Sequence, residues 1–204
     1  RNHYISGITT VKAAVENKES LKEYQQNFFN SAISESSSKR VKGYTFKSNK
    51  DKNKTKAFVD KLLMHRIKVL KKGDDLFVPT EQKNYRLVRS FFETQEKYRD
   101  SVFYDASAWT VANFYDINYS SSNKSFSGQE LNNVEDLFQI NSIEKSDYAY
   151  IINSKDYNIP AIMYKLLDNK IVTSASLKPF NIKTLNGDVN FDYGSLVIPV
   201  SVQK

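Results

Sequence analysis

Between Asp147 and Ser176 the chain reads "DYAYIIN", then "NIPAIMYKLLDN", then "KIVTSAS". The outer two pieces have the β-branched and aromatic composition of strands. The middle piece has the apolar spacing of a helix, with Pro160 in the first turn, where its missing N–H does no harm. Strand, helix and strand within about thirty residues is the order of a βαβ unit, because a crossover helix returns the chain to the same end of a sheet and lays the second strand parallel to the first. This order predicts an α/β domain with a mostly parallel sheet.

From Ile5 to Ala32, apolar residues at Ile8, Val11, Ala14, Val15, Leu21, Tyr24, Phe28 and Phe29 keep helical spacing with no Pro, which predicts one long N-terminal helix. The serine-rich run "SAISESSSKRVK" (Ser31 to Lys42) then reads as a surface loop. Next come a strand in "VKGYTF" and a helix in "TKAFVDKLLMHRI", with Thr55 as N-cap and Phe58, Leu62, Leu63 and Ile67 on one face. "IKVL" and "DDLFVP" follow as short strands turning at Gly73. In "QKNYRLVRSFFETQEKYR", Tyr85, Val88, Phe91 and Phe92 form the apolar stripe of a helix. "NYSSSNKSFSGQELNN" (Asn118 to Asn133) reads as a loop or insertion. "GDVNFDYGSLVIPV" reads as a closing hairpin, with Gly187 and Gly194 near its bends. The expected organisation is a helical arm over residues 1–36 and a single α/β domain over 37–204.

Composition narrows the function classes. With 204 residues and 40% hydrophobic content the chain is long enough for one core, and no window approaches the roughly 18 apolar residues of a membrane span. It starts at Arg1 and reads as a piece of something larger. Cysteine is absent, which removes disulfides, thiolate metal sites and a cysteine nucleophile from these residues. The net charge of +7 is uneven: residues 1–100 carry 22 Lys and Arg against 12 Asp and Glu, and residues 101–204 carry 8 against 11. Lysines scattered over solvated helices account for this excess more simply than a nucleic-acid surface does.

No catalytic, cofactor or metal site stands out. His3 and His65 lie far apart and outside any His-Glu-x-x-His pattern, so a zinc site would have to be assembled from distant segments. There is no Gly-x-Ser-x-Gly elbow, and the six glycines are too dispersed for a phosphate loop. The carboxylate pairs Asp74/Asp75, Glu135/Asp136 and Asp188/Asp192 read as solvated. Aromatics interleaved with basic residues around Tyr85 could form stacking platforms for single-stranded nucleic acid, but their helical spacing favours core packing.

The stretch "FYDASAWTVANFYD" (Phe103 to Asp116) holds the only Trp, Trp109. Asp105 and Ser107 suit the cap of a helix, and Trp109 with Phe114 is expected to bury aromatic area against the sheet as an anchor. This stretch resembles a segment downstream of the catalytic domain in large bacterial zinc carboxypeptidases of the carboxypeptidase A type, especially those of Bacteroidota. "YQQNFF", "VKGYTF", "LLMHRIKV", "FVPTEQKNYRLVRSFFE", "DYAYIINSKDYNIPAIMYKLL", "LKPF" and "GSLVIPVSVQ" are similar to that family's carboxy-terminal region in the same order, across essentially the whole chain. The departure is "TVANFYDI", where the family carries Leu-Pro after Trp-Thr.

The resemblance implies a flavodoxin-like three-layer sandwich, similar to class I glutamine amidotransferases but without their cysteine. It also implies a non-catalytic accessory role beside an upstream peptidase domain that holds the zinc, in a secreted, periplasmic or envelope protein acting on peptides. None of the family's zinc ligands, its carboxylate-binding arginine or its base glutamate maps onto a residue here. Two alternatives stay open: a hydrolase site around Asp105 and Ser107, and an interaction or nucleic-acid-binding module using the basic first half.

Overall fold

The computed structural model describes residues 1–47, 51–94, 110–138, 142–185 and 187–203. The chain divides into two compact units, one formed by Arg1–Lys47 and Leu62–Glu130, the other by Ser48–Lys61 and Leu131–Lys204.

The first unit opens with helices α1 (Asn2–Glu16) and α2 (Lys18–Ser38). The single long helix expected from the spacing is interrupted at Asn17, whose backbone leaves the helical region at φ −104°, ψ 20°. At the break the Ala13 carbonyl accepts twice from Asn17, from Nδ2 at 2.8 Å and from its N–H at 3.0 Å. In the other direction, the helix continues past Ser31 to Ser38, where a loop was expected. The serines Ser31, Ser34, Ser36, Ser37 and Ser38 each return a hydroxyl to a carbonyl three or four residues back, so they keep their hydrogen bonds inside the helix.

After β1 (Gly43–Lys47), helix α3 (Lys52–Met64) joins the two units in sequence. Thr55 does not cap α3: it is buried within it, and the Asp51 carboxylate accepts from the Lys54 N–H instead, at 3.0 Å. Strands β2 (Leu70–Lys72) and β3 (Asp75–Pro79) follow, turning at Gly73, whose φ of +59° suits a residue without Cβ. Helix α4 (Tyr85–Phe92) buries Tyr85, Val88, Phe91 and Phe92, as its stripe predicts. A short helix α5 (Val111–Phe114) and strands β4 (Tyr119–Ser122) and β5 (Gln129–Glu130) complete the unit. The polar run Asn118 to Asn133 thus supplies two edge strands instead of a loop. Such strands tolerate Ser and Gln because one margin faces water.

The sheet order is β4-β1-β3-β2-β5, and every neighbour is antiparallel. On one face Tyr44 stacks on Phe92 of α4 with centroids 4.7 Å apart, and Tyr119 meets Phe92 edge-on at 5.3 Å. On the other, Phe77 stacks on Phe126 at 5.1 Å.

In the second unit, β6 (Ala149–Ile152), α6 (Ile159–Asp168) and β7 (Ser174–Ala175) occupy the segments read as strand, helix and strand. They are followed by β8 (Phe180–Thr184), β9 (Gly187–Phe191) and β10 (Leu196–Pro199). The sheet order is β6-β10-β7, with β10 antiparallel to both neighbours. β6 and β7 therefore run in the same direction, as the sequence order suggests, but they do not pair. The apolar "LVIP" of β10 takes the central position, and "SA" of β7 is left at an edge. The hairpin falls on β8 and β9, not on the final two strands.

These pairings overturn the flavodoxin-like, mostly parallel three-layer sandwich with a long N-terminal helix. Every strand pair among the described residues is antiparallel, and two shorter helices stand where one was expected.

Within the second unit, Asp51 also accepts from the Tyr157 N–H at 2.6 Å, and Asn53 Nδ2 donates to both Asp156 carboxylate oxygens at 3.1 and 2.9 Å. These bonds tie the start of α3 to the turn before α6.

Candidate functional site

Most residues weighed from the sequence are not gathered into a site. His65 is exposed, with its ring edge-on to Phe91 at 5.9 Å. Among the described residues no group of three or more His, Asp or Glu could hold a metal ion. Asp75 faces Lys47 at 3.7 Å, Glu135 faces Lys56 at 2.6 Å and Asp192 faces Lys155 at 3.0 Å, each on the surface. The Lys155 hydrogen bond, then the Tyr193 N–H, hold the Asp192 carboxyl below its ordinary value. Tyr104, Asp105, Ser107 and Trp109 lie outside the described residues. Phe114, expected to bury with Trp109, is 74% exposed, and Ala112 is the buried residue of α5.

Much of the basic excess of the first half is committed to acids. Lys12 faces Glu16, Lys68 faces Glu130, and Arg86 and Arg89 both reach Glu35, at 3.2 and 3.5 Å. Arg86 also lies over the Phe28 ring at 4.5 Å and donates to the Phe28 carbonyl, so α2 is clamped to α4. The clamp holds the far end of α2 only. Helix α1 has no buried residue.

Where α2 gives way to β1, the first unit has a half-open hollow of about 290 Å3. The described residues lining it are Lys39, Arg40, Val41, Tyr44, Thr80, Tyr85, Arg89 and Glu93. They come together because the chain leaving α2 crosses the end of β1 opposite the start of α4. The Thr80 hydroxyl donates to the Val41 carbonyl at 3.0 Å and the Thr80 N–H donates to the Lys42 carbonyl, which fixes that crossing. Arg89 donates through Nε to Glu93 at 2.7 Å. Burial pushes the Arg89 guanidinium down, but the hydrogen bond and charge of Glu93 outweigh it, and it ends above its ordinary value.

Tyr44 and Tyr85 are only 5% and 3% exposed. Phenols buried to this degree ordinarily spend their hydroxyl on a partner. Among the described residues both make ring contacts, Tyr44 with Phe92 and Tyr119 and Tyr85 beneath Arg89 at 5.8 Å, and no buried side-chain N or O atom lacks a partner, so the two hydroxyls open onto the solvent of the hollow. Burial, then the Glu93 charge, push the Tyr44 phenol up to about 12, and burial raises Tyr85 also. Both phenols therefore stay protonated donors at neutral pH.

The sign of the linkage gives a measurable result. Because the folded value of Tyr44 lies above the unfolded value of 10.0, its contribution to stability is complete below pH 10 and is lost as pH rises towards 12. Unfolding free energy is expected to fall by about 1.4 kcal/mol per pH unit across that window more steeply in the wild type than in Tyr44→Phe, as urea melts at each pH would record.

No spacing signal could have announced this hollow. Its residues come from two stretches, 39–44 and 80–93, and Tyr85 has the helical spacing of a core residue. A second hollow, about 420 Å3, lies along β8 and β9, where Lys155 and Asp192 neutralise each other. Comparison with family models, with curated proteins and with solved structures finds no match for this chain. No helix among the described residues is long and apolar enough to cross a membrane.

Proposed function

We propose that the chain is a non-catalytic interaction module that docks to another protein surface through its N-terminal helices. More particularly, it serves as the accessory module of a zinc metallocarboxypeptidase, and the surface it meets is that enzyme's catalytic domain. The observation that carries the first part is the apolar face of α1 and α2. Tyr4, Ile5, Ile8, Val11 and Val15, then Leu21 and Tyr24, are all more than half exposed.

A 15-residue helix with nothing buried is marginal in water, because most helical stability in proteins comes from a packed face. A face of this kind fits a protein surface better than an anionic one. The only Lys of α1, Lys12, is paired with Glu16, whereas helices that lie on lipid or nucleic acid carry many unpaired cations. The second part rests on the ordered motifs from "YQQNFF" to "GSLVIPVSVQ", which resemble that family's carboxy-terminal region.

The test has two arms. The residues encoded ahead of Arg1 are expected to hold a His-x-x-Glu pattern with a later His and Glu; an upstream sequence without them removes the peptidase assignment. In the longer protein, α1 amides are expected to exchange slowly, and in the isolated chain fast. Ile8→Glu with Val15→Glu should leave the melting of the isolated chain unchanged, within about 0.5 kcal/mol as for surface substitutions, yet restore fast exchange in the longer protein. Zinc-dependent release of C-terminal amino acids by the isolated chain would overturn the non-catalytic reading.

A further inference from the structure

We propose that α2 is a releasable strap: an ion-pair clamp centred on Glu35 holds it against α4, and raised ionic strength lets it lift away, carrying α1 with it, while the sheet stays folded. Release sets the reach of the apolar face on α1; that purpose, though not the test, rests on docking through α1.

The contact is made mostly of polar groups. Of the 21 residues of α2 only Ala32 and Ser36 are buried, two small side chains that bring little apolar area to the contact. Phe28, Phe29 and Ile33 each keep part of their surface in water. Helix α4 spends its apolar side elsewhere, with Phe92 stacked on Tyr44 of β1. What it turns to α2 is Arg86 and Arg89, three residues apart and so on one flank. Both reach Glu35, at 3.2 and 3.5 Å. Arg86 adds the Ser31 hydroxyl at 3.1 Å and the ring and carbonyl of Phe28.

These groups are not sealed from water. The side chains of Glu35, Arg86 and Arg89 are 32–38% exposed, so each pair contributes little and salt weakens it. Their loss also costs α4 little. Arg89 keeps its bond to Glu93 at 2.7 Å when α2 leaves, and Arg86 passes to water. Among the described residues, every large buried apolar side chain of the unit lies outside α2, so the opening is local.

The pivot lies at Lys39 and Arg40. Lys42 donates its N–H to the Ser122 carbonyl, and Thr80 bonds the carbonyls of Val41 and Lys42, which fixes the chain from Val41 onward. Lys39 and Arg40 are exposed, and Lys39 is already extended at φ −85°, ψ 149°. The Lys42 ammonium ties back across the pivot to the Ser37 carbonyl at 3.0 Å, another surface contact that salt weakens.

Peptide-resolved hydrogen exchange of the full chain at about 20 mM and about 1 M NaCl tests the strap; at the higher salt the screening length falls to about 3 Å, close to the length of the pairs. A released α2 is a solvated helix and exchanges quickly. Protection over residues 28–38 is expected to fall about threefold to tenfold between the two salts, while β1 and β3 keep theirs. Glu35→Gln should show at low salt the loss that the wild type shows at high salt, and should remove most of the salt dependence. Arg86→Gln should follow it, and the double variant should lose little more than either single one, because both act on one contact. Glu23→Gln, on the exposed stretch of the same helix, should change nothing.

Three results overturn the proposal: protection over 28–38 equal to that of β1 at both salts, a fall with salt that β1 and β3 share equally, or Glu35→Gln exchanging like the wild type at low salt. Failure here leaves the comparison of α1 between the longer protein and the isolated chain untouched. Failure of α1 docking likewise leaves these rates as they are.

Discussion

Phe92→Ala is expected to lower the unfolding free energy of the first unit by about 3–5 kcal/mol, the range for emptying a buried Phe site. Phe92 is 1% exposed, and three aromatic side chains of the sheet lean on it: Tyr44 stacked at 4.7 Å, Tyr119 edge-on at 5.3 Å and Phe46 tilted at 6.2 Å. Truncation leaves a void that three rings on a paired sheet cannot fill by small rotations, so the loss should lie toward the upper end of that range. Tyr119 also donates its hydroxyl to the Phe92 carbonyl, and this backbone bond survives the substitution. Urea unfolding followed by circular dichroism checks the result. Phe92→Leu should recover part of the loss, and an effect below about 1 kcal/mol would show that α4 is not packed on this face of the sheet.

Gly43→Ala should also destabilise, although alanine is ordinarily the better residue within a strand. A Cβ at position 43 would lie 2.1 Å from Cζ of Phe77 and 2.6 and 2.7 Å from its Cε atoms. The ring occupies the space that the missing side chain leaves, and it is held there by stacking on Phe126. Overpacking of this kind costs about 1–3 kcal/mol and outweighs the roughly 0.5–1 kcal/mol that alanine gains in backbone entropy. The decisive measurement is a double-mutant cycle. Phe77→Leu is destabilising alone, but combined with Gly43→Ala it should restore part of the loss, and a coupling energy near zero would mean that the ring moves away freely.

How far the sequence could be read depended on whether a signal was local. The α4 stripe at Tyr85, Val88, Phe91 and Phe92, the turn at Gly73 and Pro160 in the first turn of α6 are written in neighbouring residues, and the structure bears them out. Sheet order is not written that way. Between Asp147 and Ser176 the sequence carries the common direction of β6 and β7, but nothing within those thirty residues reveals that a strand twenty residues later separates them. The helix break at Asn17 and the serine-rich end of α2 escaped for a related reason. A short polar side chain that returns its hydrogen bond to a carbonyl three or four residues back accompanies a break at Asn17 and an unbroken helix at Ser36, so the residue type alone does not decide. The hollow was illegible because Tyr44 and Tyr85 look like core residues in sequence. Only their place on the wall of the hollow distinguishes them.

Strand β10 fills the middle of its sheet but is translated after both strands that flank it. While ribosomes are still adding the residues before Leu196, the nascent chain carries Ile151 and Ile152 on an open margin, with bare amide and carbonyl groups ready to zip onto a passing polypeptide. The pairing that unites this sheet therefore joins segments far apart along the chain, a contact that forms only after a long loop has closed.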